Sequence, residues 1–146
     1  MAGLTLEHGR AELYRAALEG IAYGVRHNLE VMREAGGPAR RLVAVGGGTQ
    51  GGLWTRIVSD VTGEAQVVPK ETVGAALGDA MLAAGAAGVD VSTWNPDDHV
   101  VHPSGDSSYD DFYARYRELY PATRDVAHFL AERQHVSGGG HDGERS

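Results

Sequence analysis

Cysteine is absent from the chain, and lysine occurs once, at Lys70. The first absence excludes disulfides and thiolate metal sites. The second, together with a formal net charge of −7, makes the chain a poor partner for the phosphate backbone of nucleic acid. No apolar run is long enough to span a bilayer, and no basic start with an apolar centre marks a signal peptide, so a cytoplasmic protein is expected, with no membrane role. What remains is 146 residues, 42% of them apolar, which suits one α/β domain with a modest core.

From about Glu7 to Glu34 no proline interrupts Tyr14, Leu18, Ile21, Val25, Leu29 and Met32. Their steps of three and four predict one long amphipathic helix with that stripe facing inward. Glu12, Arg15, Glu19, Arg26, Glu30 and Arg33 form the other face, read as solvated, with Arg15/Glu19 and Arg26/Glu30 able to pair. Gly36-Gly37-Pro38 stops the helix. A strand from Leu42 to Val45 then runs into Gly46, Gly47 and Gly48, where missing side chains let an anion approach backbone N–H groups. The next helix, carrying Leu53, Trp54, Ile57, Val58 and Val61 and ended by Gly63, points its N-terminal donors at the same place.

Gln66 to Pro69 reads as a short strand. Val73 to Ala87 is a helix of mostly small residues, where Gly78 predicts close approach to a sheet or another backbone. Val89 to Gly105 is expected to be irregular, with at most a strand around His99 to His102. Ser107 or Ser108 can cap a last helix, with Asp110 and Asp111 in its first turn. Pro121 is expected to break or kink that helix, which continues to about Arg133. Residues 134–146 read as a disordered tail after one domain at 1–133. Two or three strands leave open sheet edges, which points to a part of something larger.

There is no Walker A pattern. Gly46-Gly47-Gly48-Thr49-Gln50-Gly51 fits the G-x-G-x-x-G dinucleotide fingerprint, with Glu64 and Glu71 about twenty residues on, so a dinucleotide-binding fragment is a competing reading. His99 and His102 beside Asp97 and Asp98 have metal-ligand chemistry. On an extended segment, however, that spacing sends the two histidines to opposite faces, and no metal site is assigned. No serine, histidine and acid form a triad by spacing, and no catalytic residue is assigned. Asp60 and Asp79 fall on predicted helices, where exposure or capping is the ordinary role.

Several segments resemble the C-terminal domain of the FGGY carbohydrate kinases, in order and over nearly the whole chain. Gly3-Leu4, seven further residues and then Glu12 to Asn28 are similar to that family's second signature. The glycine turn with Leu53-Trp54 and Ser59-Asp60-Val61-Thr62-Gly63 resembles its adenosine motif. Val68-Pro69, Ala75 to Ala80 and Tyr116-Arg117-Glu118-Leu119-Tyr120-Pro121 resemble the segments that follow, the last in the xylulokinase-like style. The resemblance implies a partial actin/hexokinase-like, ribonuclease H-like ATPase domain: a small sheet, flanking helices and a long N-terminal helix. It implies ATP and Mg2+, with Gly46, Gly47 and Gly48 near the phosphates and Thr49, Gln50, Gly51 and Gly52 beside ribose and adenine. The function it implies is the nucleotide-side segment of a pentulose kinase, inactive alone. Its partners would be ATP or ADP, a missing N-terminal kinase domain or split-gene product, and a second copy of itself by self-association. A non-catalytic nucleotide-binding or assembly module is the alternative.

Overall fold

The computed structural model describes residues 3–37 and 40–138, with 134–138 as backbone only. Pro38, assigned above to the helix stop, lies outside them. Two compact units divide between Tyr109 and Asp110.

In the first unit, α1 (Arg10–Glu34) opens with the Glu12 carboxylate accepting the Gly9 N–H at 2.9 Å, which satisfies one of the orphan donors of the first turn. It ends where Gly36 takes φ +82° and the Gly37 N–H donates to the Met32 carbonyl at 3.0 Å. This closure works by a left-handed glycine. β1 (Leu42–Val43), α2 (Leu53–Thr62), β2 (Gln66–Pro69), α3 (Gly74–Ala86) and β3 (Asp97–Val101) follow. The sheet order is β1-β2-β3, with β1 parallel and β3 antiparallel to β2 and an irregularity at Val68/Pro69. β1 is shorter than the expected Leu42–Val45. The Ala44 N–H still donates to the Val67 carbonyl, but the Gly46 N–H turns away to Thr72.

The core lies between α1, α2 and β2: Ala22, Tyr23, Leu29, Ile57, Val58, Val61 and Val68 are buried. Thr55, Ser59 and Gln66 are buried with them. The Gln66 amide donates to the Thr55 carbonyl at 2.6 Å and to Ser59 Oγ at 2.8 Å, and the Ser59 hydroxyl donates to the Val101 carbonyl at 3.0 Å. This chain of bonds fastens α2 to both β2 and β3 and leaves none of these side-chain groups unsatisfied.

The sequence expectation for α1 is corrected in its rotation. Tyr14, Ile21 and Met32 are exposed, while Ala22 and Leu29, about 100° around the helix from Ile21, are buried. The charged residues beside Ala22 are therefore not a plain solvated face. The Arg15/Glu19 and Arg26/Glu30 pairs form at 2.8 and 3.4 Å, but Arg26 Nη1 also donates to the Val61 carbonyl at 3.1 Å and Arg33 pairs with Glu64. Val61 is in the last turn of α2, so Arg26 satisfies a carbonyl that the helix itself leaves open. Gly63, at φ +71°, completes that terminus as expected.

α3 is corrected as well. None of its residues is buried, and a β-carbon on Gly78 or Gly85 would meet nothing within 4 Å. The tight position is Gly74, where a β-carbon would lie 3.3 Å from Val45 Cγ2.

α4 (Ser108–Gly138) begins at the end of the first unit and forms the second. Asp106 takes the role expected of Ser107 or Ser108, its carboxylate accepting the Ser108 N–H at 2.9 Å. The helix continues through Pro121 and on to Gly138, so Gln134 to Gly138 are helical where a tail was expected. The rest of that tail, 139–146, lies outside the described residues. Among those described, no helix is long and apolar enough to cross a membrane.

Candidate functional site

The glycine turn leaves the C-terminal end of β1, beside the same end of its parallel neighbour β2. Gly46, at φ 92° and ψ 177°, occupies a backbone region that only glycine enters readily. Its N–H donates to the Thr72 carbonyl at 2.6 Å, which ties the turn to the segment after β2 and takes that N–H away from any ligand. Gly47 to Thr49 form a single 3-10 turn, in which the Thr49 N–H and hydroxyl both donate to the Gly46 carbonyl, at 3.1 and 2.8 Å. The Gln50 N–H donates to Gly47. Gly51 and Gly52 both have positive φ, 85° and 71°, and Gly52 starts α2 with no side-chain cap.

Among the described residues, the N–H groups of Gly47 and Gly48 have no hydrogen-bond acceptor, and both residues are exposed. With the uncapped first turn of α2 next to them and no acid in that turn, these donors form a place suited to an anion. Gly48 has an internal reason to be glycine, since its β-carbon would lie 2.8 Å from Cδ1 of Trp54. A β-carbon on Gly47 would meet nothing within 4 Å.

Of the residues singled out in the sequence, Gly46 to Gly52 form one continuous turn, while Asp60 lies about 10 Å further along α2. The Asp60 carboxylate accepts the Ser104 N–H at 2.6 Å, and Asp79 is exposed on α3. His99 bonds Asp98 at 2.7 Å on the exposed β3. Among the described residues, no three histidine, aspartate or glutamate side chains gather as metal ligands. Glu64 sits before β2, at the end of the strand away from the turn, and pairs with Arg33, so it is badly placed for a ribose. Glu71 is at the correct end. Its backbone is held from both sides by the Asn95 amide, at 2.9 Å each. Thr72 and Asn95 are contributors that the sequence reading missed, and Trp54, read there as part of the motif, acts as the ring packed against Gly48. Only the Asn95-Pro96 pair carried a turn signal.

The family model described as the FGGY family of carbohydrate kinases, C-terminal domain, matches residues 1–87. A xylulose kinase from Staphylococcus epidermidis is 26% identical over 132 residues, covering 85% of this chain and 27% of that protein. A ribulokinase from Mycolicibacterium smegmatis is 35% identical over 129 residues, 82% of this chain and 23% of that one. Among solved structures, the xylulose kinase from Rhodospirillum rubrum superposes with a TM-score of 0.74 at 29% identity, covering 87% of this chain and 28% of that chain. The Plasmodium falciparum glycerol kinase with ADP reaches 0.67 at 24% identity, over 83% and 26%, which supports the fold alone. The chain thus spans about a quarter of the length of these relatives, in the actin/hexokinase-like fold of such kinases. With a family match over more than half of its residues, the chain belongs to the FGGY family of carbohydrate kinases, in the part that forms their C-terminal domain.

Proposed function

We propose that the chain is the nucleotide-side segment of an ATP-dependent, xylulokinase-like pentulose kinase. The observation that carries this reading is the pair of acceptor-free N–H groups at Gly47 and Gly48, exposed at the end of two parallel strands and beside an uncapped helix start. Backbone donors held in this way need no reorganisation to receive a phosphate. Gly46 belongs to the scaffold of the turn, and Thr49 to Gly52 form the wall that ribose and base would lie against. Gly51 and Gly52 offer no side-chain donor to adenine.

The described residues do not gather carboxylates for Mg2+, so no step is assigned to the metal here. A magnesium ion accompanying ATP would keep its phosphate and water ligands. Phosphoryl transfer requires an acceptor hydroxyl, a proton acceptor and charge stabilisation held together. This chain supplies one wall of such a cleft. The reading therefore expects weak Mg-ADP binding by the chain alone in titration calorimetry, because one wall makes few contacts against the full ordering cost. It expects no turnover with pentuloses or glycerol in a coupled assay. Turnover with any of these would sink it and direct mutagenesis to Asp60 and Asp79.

A further inference from the structure

The glycine turn hangs on a carbonyl outside it. Main-chain pairing of β1 with β2 ends where the Ala44 N–H donates to the Val67 carbonyl, and the chain is tied down again where the Gly46 N–H donates to the Thr72 carbonyl at 2.6 Å. Thr72 lies in the connection between β2 and α3, which belongs to no strand or helix. Asn95 holds that connection. Beyond the Pro69↔Asp97 pair, the register of β2 and β3 sets Lys70 opposite Pro96 and Glu71 opposite Asn95. The Pro96 carbonyl accepts the Lys70 N–H at 3.0 Å, but proline has no N–H to return. One residue on, the Asn95 side-chain amide supplies both directions. Its oxygen accepts the Glu71 N–H and its nitrogen donates to the Glu71 carbonyl, each at 2.9 Å. Among the described residues the Glu71 backbone makes no other hydrogen bond.

We infer that Asn95 is a positioning residue for the glycine turn. Its bond to the Glu71 carbonyl fixes the planar peptide that leads into Thr72, one residue before the carbonyl that holds Gly46. Gly46 passes the constraint on, because its own carbonyl accepts both the N–H and the hydroxyl of Thr49. The turn between them carries Gly47 and Gly48, so the aim of their N–H groups is set from Asn95 through main-chain atoms alone. A packing contact joins the same two segments, since Val45 Cγ2 lies 3.3 Å from where a Gly74 β-carbon would stand. What the Gly47 and Gly48 donors receive rests on the nucleotide reading; the tether itself does not.

Exchange of single amide protons, followed by NMR on the full chain, tests the tether without any ligand. In Asn95→Ala the Gly46 N–H should exchange about tenfold faster, as expected for a local opening once two hydrogen bonds are lost. The Ala44 N–H, bonded to β2 in both proteins, should keep its rate, whereas a general loss of stability would speed both together. Asn95→Asp keeps an acceptor for the Glu71 N–H but turns an oxygen toward the Glu71 carbonyl. It should show the same split, and it decides where the alanine variant does not fold. Mg-ADP titrated into the same samples, read at the Gly47 and Gly48 amides, should bind about fivefold more weakly to the variant, because donors left loose must be ordered on binding. If the unaltered chain shows no Mg-ADP shifts at these amides, the nucleotide reading fails and the exchange rates alone decide the role of Asn95. A Gly46 rate that is unchanged, one that rises only in step with Ala44, or equal Mg-ADP affinity in chains whose Gly46 rates differ overturns the proposal.

Discussion

At Gly48 the space that a β-carbon would take is filled by the indole of Trp54, 2.8 Å away, whereas at Gly47 that space is empty. The two residues therefore make opposite predictions. Gly48→Ala forces the Trp54 ring aside and should cost about 1–3 kcal/mol by overpacking, read as a lower melting temperature with altered tryptophan fluorescence. Gly47→Val has room within the chain and should leave the melting temperature nearly unchanged. In a complete two-domain kinase carrying this segment it should raise the KM for ATP far more than that for the sugar, because the added side chain covers the donors that the proposed function assigns to phosphate. Equal effects on both substrates would remove Gly47 from the nucleotide site. Both glycines were legible in the sequence as members of one motif. That they are glycine for different reasons was not, because the indole wedge depends on how α2 folds back under the turn.

At the level of elements, α1 shows where periodicity stops being informative. Its stripe was read correctly as helical, but a stripe says only that an apolar surface exists and not which neighbour is there to cover it. α2 docks on the strip containing Ala22 and Leu29, which is narrow enough for close approach and flanked by arginines that finish the end of α2. The α2 boundary, β2 and the left-handed Gly63 were legible because local chemistry alone decides them. The roles of Ser59 and Gln66 were not, since Ser59 reaches Val101 on a strand distant in sequence and Gln66 reaches α2 only once that helix packs on β2.

Within the first unit, the contact of α1 with Tyr109 has a pH signature. Arg15 Nη2 donates to the Tyr109 hydroxyl at 2.9 Å, and that hydroxyl donates to Glu19 at 3.2 Å. Tyr23 meets Tyr109 edge to face at 6.5 Å. Burial first, then the charges of Glu19 and Tyr109, push the Tyr23 phenol up to about 12, against a smaller opposing pull from Arg26. A phenol raised in the folded state is deprotonated first in the unfolded chain, so its contribution is complete below about pH 10 and lost as pH rises toward 12. Denaturant melts should weaken across that window, and Tyr23→Phe should flatten the slope. An unchanged slope in the variant would place its origin elsewhere.

For the whole molecule, the imbalance is between a small core and a large apolar exterior. Tyr14 is 62% exposed, Ile21 58%, Met32 52% and, on α3, Leu82 75%. These side chains contribute little to holding this chain together, and each exposes apolar surface of the kind that another surface covers when it is functional. Ile21→Lys with Met32→Lys should therefore lower apolar-dye binding and raise solubility while leaving the melting temperature almost unchanged, since a substitution at a solvent-facing site is worth about 0.5 kcal/mol or less in either direction. Leu29→Lys, one turn before Met32 but on the buried strip, puts an unpaired charge into the core and should prevent folding. If the Ile21 and Met32 pair proved as damaging as Leu29, the exposed stripe would be part of a core, and the rotation of α1 described above would be wrong.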